Sequence, residues 1–326
     1  MDFTPAESQQ AVAALAAEVL GSADLSKGPD PWKELARAGL LDVSALGVLD
    51  LAVLLTEIGR RAPSMQALAT LMTGALPLLR WGRADLLPAV ASGELILTAA
   101  LRELSATSVT DGTITGTKIG VPYAQQARLI LVSTASGVAL VDPRNATLTR
   151  TPSSTGEPEY TVRMDRTPIE ELLGGPESVL DLDQLSVAGA CALADGAVAG
   201  ALALTRDHVA TREQFGRPLA AFQAVSQQIA EVYIASRTIH LATLAACWRL
   251  DAGQEMGTDA GADLGVAAYW CAEQAPRAVR TCHHLHGGLG MDATYPLHRF
   301  SSLVADLVRY LGGAEYRLER LACSST

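Results

Sequence analysis

Thr211-Arg212-Glu213-Gln214-Phe215-Gly216-Arg217-Pro218-Leu219, followed by Phe222-Gln223, stands at the joint between two long helical segments. Composition alone reads this joint as a helix–turn–helix linker, with Gly216 as the C-cap and Pro218 restarting the chain. Its chemical reading is an anion site, because an arginine beside a helix start offers a fork of donors to a phosphate. Downstream, Phe222, Val225, Ile229, Val232, Ser236, Ile239, Thr243 and Ala246 recur in alternating steps of three and four. That spacing predicts a seam for antiparallel helix packing. Upstream, the apolar run from Leu185 to Leu204 is interrupted by Asp195 and closed by Arg206. A spanning helix needs about 20 nearly uncharged residues, so the run reads as a buried core helix. With helices expected over Leu182–Arg212, Asp259–His286 and Pro296–Tyr310, residues 176–326 read as a four-helix bundle. Pro276 is expected to kink the third of its helices.

Outward from this bundle the character changes. Residues 96–175 are richer in Thr, Val and Ile, with turn signals every few residues. Asp111-Gly112 predicts a hairpin turn, Ala135-Ser136-Gly137 a short connection, and Tyr160–Met164 alternates as a half-buried strand does. This segment reads as a small all-β domain of barrel or sandwich type. Residues 1–95 read as helices. Thr4-Pro5-Ala6-Glu7 resembles a capping box with proline at the first helical position, and Asp30-Pro31 opens a helix through Leu40. Leu51–Ile58 and Met65–Leu79 read as two more helices, separated by Arg60, Arg61 and Pro63. The fold class expected is mainly α with a central β domain.

The 326 residues carry a net charge of −10, 49% hydrophobic residues and only 18% charged ones, which excludes a disordered chain. The acidity argues against nucleic acid as a partner, since phosphate neutralisation needs a basic face. Lys27, Lys33 and Lys118 are the only three lysines, so no lysine-rich patch suits an anionic membrane. The start MDFTPAESQQ shows no basic and then apolar run, so no secretory signal is expected. Five widely spaced cysteines (191, 247, 271, 282, 323) are an odd number without a CxxC pair. They fit reduced thiols and a cytoplasmic location.

A second motif runs Cys282-His283-His284-Leu285-His286-Gly287-Gly288-Leu289-Gly290-Met291-Asp292, then Tyr295-Pro296 and Arg299. Cys282 and His286 share a helix face, so a transition-metal site with His284 is one reading, although no second Cys/His pair complements it. The glycines permit positive φ at a helix end, and they also let backbone N–H groups approach a phosphate.

Taken together, the two motifs resemble those of the acyl-CoA dehydrogenase family, and the order of helical, β and helical segments is similar over the whole chain. Arg212-x-x-Phe215-Gly216-x-x-Leu219-x-x-x-Gln223 looks like one family signature. His284-x-x-Gly287-Gly288-x-Gly290, with histidine where glutamine is usual, looks like the other. The resemblance implies that both reach across a subunit interface to the pyrophosphate and adenosine end of a neighbour's FAD. Arg212 would pair with a phosphate, Gln214 and Phe215 would lie along the dinucleotide, and Gln223, His284, Gly287 and Gly288 would line the same pocket.

The departures from the family pattern fall on the catalytic parts. Where members carry a Gly/Pro-rich loop touching flavin and substrate, this chain has Thr98–Ser108 without either residue. Where a Trp-Ile-Thr strand usually faces the flavin ring, it has Ile119-Gly120-Val121-Pro122. The family's glutamate base falls on Leu311, and a leucine accepts no proton. An alternative base position early in the first bundle helix falls near Asp183, a methylene shorter than glutamate, which also reads as an N-terminal helix carboxylate. Within the family, the MDF start, Arg237 and the CHHLHGG run resemble the short subunit of heterotetrameric (α2β2) steroid acyl-CoA dehydrogenases of actinobacteria. That resemblance implies a full-length partner subunit and a CoA thioester of a cholesterol side-chain fragment, down to the three-carbon side chain of a pregnane. Two other readings stay open: a self-sufficient homotetramer with Asp183 as base, and a non-enzymatic metal-binding scaffold on Cys282, His284 and His286.

Overall fold

The computed structural model describes residues 4–22, 30–61, 65–252 and 260–324. The chain opens with α1 (Glu7–Ser22), α2 (Pro31–Arg37) and α3 (Val48–Arg61). Helix α1 starts later than the Thr4 capping box predicts. Helix α2 starts as read, with the Asp30 carboxylate accepting from Trp32 N. It ends three residues before Leu40, because Gly39 takes a φ of 75°. Gly39 N then bonds Ala36 O and Leu40 N bonds Leu35 O, which closes the helix. The helix expected over Met65–Leu79 is π-helical from Leu68 to Ala75 and continues as α4 (Leu76–Arg80). Pro63, read as part of its separator, lies outside the described residues. A short α5 (Leu87–Ala91) completes this part.

Eight strands follow: β1 (Leu97–Ala100), β2 (Arg102–Thr110), β3 (Thr113–Pro122), β4 (Leu129–Thr134), β5 (Gly137–Val141), β6 (Thr147–Thr151), β7 (Glu159–Pro168) and β8 (Glu171–Leu173). They form two four-stranded sheets, ordered β1-β4-β5-β8 and β2-β3-β7-β6. Ile130, Val132, Ala139 and Val141 of the first sheet pack with Ile114, Val121, Tyr160, Val162 and Met164 of the second. The β region is thus a sandwich; the predicted hairpin turn at Asp111-Gly112 is present, and the short connection at Ala135-Ser136-Gly137 joins antiparallel β4 and β5. Asp111 and Gly112 both take positive φ, as a two-residue hairpin loop requires.

One polar group crosses this sandwich. Lys118 of β3 is 0% exposed, and its Nζ donates to Glu103 Oε1 at 2.8 Å and Ser133 Oγ at 3.1 Å. Burial lowers the lysine's pKa against the opposing pull of Glu103. Burial pushes Glu103 up, but the Lys118 hydrogen bond and charge outweigh it and leave the carboxyl below its ordinary range.

The remaining helices are α6 (Pro176–Thr211), α7 (Gln223–Ala252), α8 (Ala260–His286), α9 (Leu297–Leu311) and α10 (Ala314–Ser324). The expected start of α8 at Asp259 lies outside the described residues; Pro276 sits inside the helix, which continues on both sides of it. Helix α10 was not read from the sequence. Gly312 and Gly313, at φ 93° and 84°, reverse the chain into it. Helix α6 is long and apolar enough to cross a membrane by composition, but 72% of its most apolar stretch is buried in the protein, as a core helix is. The seam on α7 is buried from Val232 to Ala246, whereas Phe222, Val225 and Ile229 at its start stay partly exposed.

By contacts the chain divides into two compact units, one of Met1–Ala6, Ala52–Pro63 and Ala190–Thr326, the other of Glu7–Leu51 and Ser64–Gly189. The chain passes between them inside α3 and α6, whereas composition changes near 95 and 175. Within the first unit α8 packs on α7, α9 and α10. Asp195 of α6 meets His240 Nδ1 of α7 at 2.8 Å.

Candidate functional site

The joint that opens the sequence is not a helix cap. Helix α6 stops at Thr211, and the chain forms a small hairpin of β9 (Glu213–Gln214) and β10 (Arg217–Pro218). Gln214 pairs with Arg217 across the two-residue turn Phe215-Gly216. Both turn residues have positive φ, 54° and 77°. Gly216 is therefore a hairpin residue rather than a C-cap, because a two-residue loop that matches strand twist needs two left-handed positions. A phenylalanine in that region is strained. Its side chain is nevertheless 91% exposed, so the chain's own core does not explain it. Pro218 restarts nothing directly; a short 3-10 turn (Leu219–Ala221) intervenes before α7.

Arg212 and Gln214 are exposed on this hairpin, and Gln223 is exposed at the first residue of α7. The Arg212 N–H donates to His208 O and its carbonyl accepts from Leu219 N, which fixes the backbone. Among the described residues the guanidinium makes no hydrogen bond or ion pair. Arg217, which the motif reading passed over, lies 4.0 Å above the Phe222 ring, and Phe222 meets Phe215 edge to face at 6.2 Å. The signal was in the sequence, since a cation five residues before an aromatic can fold over it across a short turn.

The second motif closes α8. His284, Gly287 and Gly288 are exposed, followed by the 3-10 turn Gly287–Met291. A Cβ at Gly287 or Gly288 would meet nothing within 4 Å. Gly287 has a φ of 57°, which accounts for its glycine, but Gly288 has neither that nor a crowding neighbour. Met291 beside it is 84% exposed.

The metal reading of this motif is overturned. Among the described residues no group of three His, Cys, Asp or Glu side chains is placed to hold a metal ion. Both His286 nitrogens are occupied, Nδ1 by Cys282 O at 2.8 Å and Nε2 by Tyr295 Oη at 3.1 Å. The Cys282 thiol is buried and pushed up to about 11, far from the thiolate a metal takes.

Leu311 is fully buried, and its carbonyl accepts from Arg317 Nε at 2.6 Å. Asp183 is half-buried on α6, where its backbone carbonyl accepts from Ser186 Oγ. Its carboxylate has no partner among the described residues. The neighbouring Asp181 pairs with Arg80, and burial raises its pKa although Arg80 opposes the shift. Thr98–Ser108 is not a loop: it runs through β1 and β2, and Thr98 Oγ1 donates to Pro122 O at 2.6 Å.

This order of helical and β segments, with two exposed motifs on one helical unit, has clear relatives. The acyl-CoA dehydrogenase C-terminal domain matches residues 182–322. The chain is 44% identical over 350 residues to acyl-CoA dehydrogenase FadE28 of Mycobacterium tuberculosis, covering 100% of each. It is similar to the solved Tcur3481-Tcur3483 steroid ACAD G363A variant, with a TM-score of 0.87 and 30% identity over 97% of each chain. The ChsE4-ChsE5 complex from Mycobacterium tuberculosis gives a TM-score of 0.88 at 26% identity, over 99% of this chain and 98% of that one. The chain belongs to the acyl-CoA dehydrogenase family. Its class is that of the FAD-dependent oxidoreductases.

Proposed function

We propose that this chain is the non-catalytic or semi-catalytic subunit of a heteromeric acyl-CoA dehydrogenase that desaturates a steroid side-chain CoA thioester in the cytoplasm. It lends Arg212, Gln214, Phe215, Gln223, His284 and the Gly287-Gly288 turn to an FAD whose flavin end is held by a full-length partner subunit in an α2β2 assembly. The observation that carries this reading is a pair of motifs built outward and left without an internal role. Phe215 is strained and 91% exposed, the Arg212 guanidinium has no partner among the described residues, and Gly288 is a glycine that no contact in the chain demands.

These residues fit the diphosphate and adenosine end of FAD. A guanidinium fork matches phosphate oxygens, and a side-chain-free turn lets backbone N–H groups come close to them. Bound FAD supplies the acceptor for the hydride leaving the β-carbon of the thioester. The accompanying α-proton needs a positioned carboxylate. Leu311 supplies none, being apolar and buried in the chain's own core. The partner subunit therefore brings the base, and this chain binds and orients. Similarity to a steroid ACAD variant and to the ChsE4-ChsE5 complex supports both the substrate class and the heteromeric assembly.

The test is expression with and without a full-length acyl-CoA dehydrogenase subunit as partner. Stable co-purification, flavin in the complex and no turnover by the single chain are expected. A single chain that binds FAD stoichiometrically and oxidises an acyl-CoA refutes the proposal. One observation favours a second reading, a self-sufficient homotetramer: Asp183 keeps a half-buried carboxylate without a partner among the described residues.

A further inference from the structure

Arg212 and the Gly287-Gly288 turn lie 75 positions apart in sequence, on different helices. What holds them in register is a row of rings beneath them. The His208 ring of α6 stacks on the His286 ring of α8, with centroids 4.4 Å apart and planes 17° from parallel. His208 is one helical turn before Arg212 and accepts that residue's backbone N–H at 2.8 Å. His286 immediately precedes Gly287, and it is held at both nitrogens. A carbonyl only accepts, so Nδ1 carries the proton and donates to Cys282 O, which leaves Nε2 to accept from the Tyr295 hydroxyl. Tyr295 packs its own ring at 5.2 Å from that of His286.

We propose that His208 and His286 are positioning residues: their stacked rings set the distance between the Arg212 guanidinium and the Gly287-Gly288 amides, and so the span offered to the flavin's diphosphate. The inference rests on the reading that these two motifs hold FAD. Each ring acts through its own backbone, His208 through the bond its carbonyl accepts from Arg212 N and His286 through its peptide link to Gly287. Other polar groups nearby have their own partners. Asp207 pairs with Arg206, His283 with Ser301, and Asp292 with Thr294. Burial, with Arg212 beside it, lowers the pKa of His208; burial likewise lowers His286 against the pull of Cys282 O. Both shifts favour the neutral rings that the stack and the Tyr295 hydrogen bond use.

The experiment measures FAD affinity and thermal midpoint on the flavin-containing oligomer, with no need for turnover. Loss of one aromatic pair predicts about tenfold weaker FAD binding in His208→Ala, with a similar midpoint. His208→Phe, which restores a stacking ring, is expected to bind FAD within about threefold of the original. Unchanged affinity in His208→Ala, or no recovery in His208→Phe, overturns the proposal. Should His208→Ala fail to assemble, Tyr295→Phe carries the test, because it frees Nε2 while keeping the ring; unchanged FAD affinity there overturns it equally. Arg212→Ala separates the two levels. If that variant holds FAD normally, the reading of the motifs has failed; if it loses FAD while the His208 and Tyr295 variants do not, only the positioning role has.

Discussion

Arg212 and Glu103 show how differently two exposed charges behave. Arg212 has solvent around it and no partner among the described residues, so its removal has little to disturb within the chain. Arg212→Ala is expected to leave the thermal midpoint close to unchanged and to lower flavin content of the purified complex by about tenfold or more, the worth of a charge-assisted phosphate contact. Flavin absorbance per mole of complex measures it. Glu103 is, among the described residues, the acidic partner of a fully buried lysine. Its carboxyl titrates below the ordinary range in the folded chain, so its stabilising share is present above that range and is lost as pH falls through the folded value. Lys118 runs the other way. Its lowered pKa means the unfolded chain binds the proton more readily, so its penalty eases as pH rises toward the ordinary lysine range. Glu103→Gln is therefore expected to flatten the acid limb of a stability–pH curve and to cost about 1–3 kcal/mol at pH 7, read by denaturant unfolding.

At the level of elements, α3 and α6 approach each other most closely at glycines, among them Gly196 within the apolar run of α6. A Cβ on Gly196 of α6 would lie 2.0 Å from Thr56 O of α3, and one on Gly59 of α3 would lie 2.3 Å from Leu193 O. Thr56 Oγ1 also donates to Ala192 O across the same contact. Backbone cannot yield as a side chain does, so Gly196→Ala is expected to destabilise by about 3 kcal/mol or more and lower the melting temperature by several degrees. Gly200→Ala meets Arg60 O and Phe300 instead and is expected to follow it. Hairpin β9–β10 shows why local sequence missed a feature. Phe215-Gly216 lacks the Asn-Gly or Asp-Gly signal of a tight turn, and an aromatic at positive φ runs against propensity. Helix α10 escaped because Gly312-Gly313 reads as an end, while α8 beside it gives its apolar face something to cover.

For the whole molecule, the question is which chain carries the base. Leu311→Ala opens a cavity in the core, since the side chain is fully buried, and is expected to cost about 2–5 kcal/mol without abolishing turnover by the assembled complex. Asp183→Asn decides the alternative: retained turnover fits a base on the partner, whereas complete loss in a single-chain oligomer would favour the homotetramer. Substrate oxidation at a temperature where both variants stay folded is the measurement.

Sequence alone determined the class. Periodicity and turn chemistry are local properties and gave helical flanks around a β-rich middle, while two motifs of fixed spacing carried the resemblance to the family. The resemblance also set Leu311 where the family pattern expects a carboxylate. Only the tertiary structure decided that the first motif is an outward hairpin, that His286 is sealed by its hydrogen bonds rather than open to a metal, and that His208 stacks upon it. The stack depends on where α6 meets α8 and the seal on where Tyr295 returns to His286, and exposure or stacking between residues far apart in the chain is fixed by packing and not by neighbours in sequence.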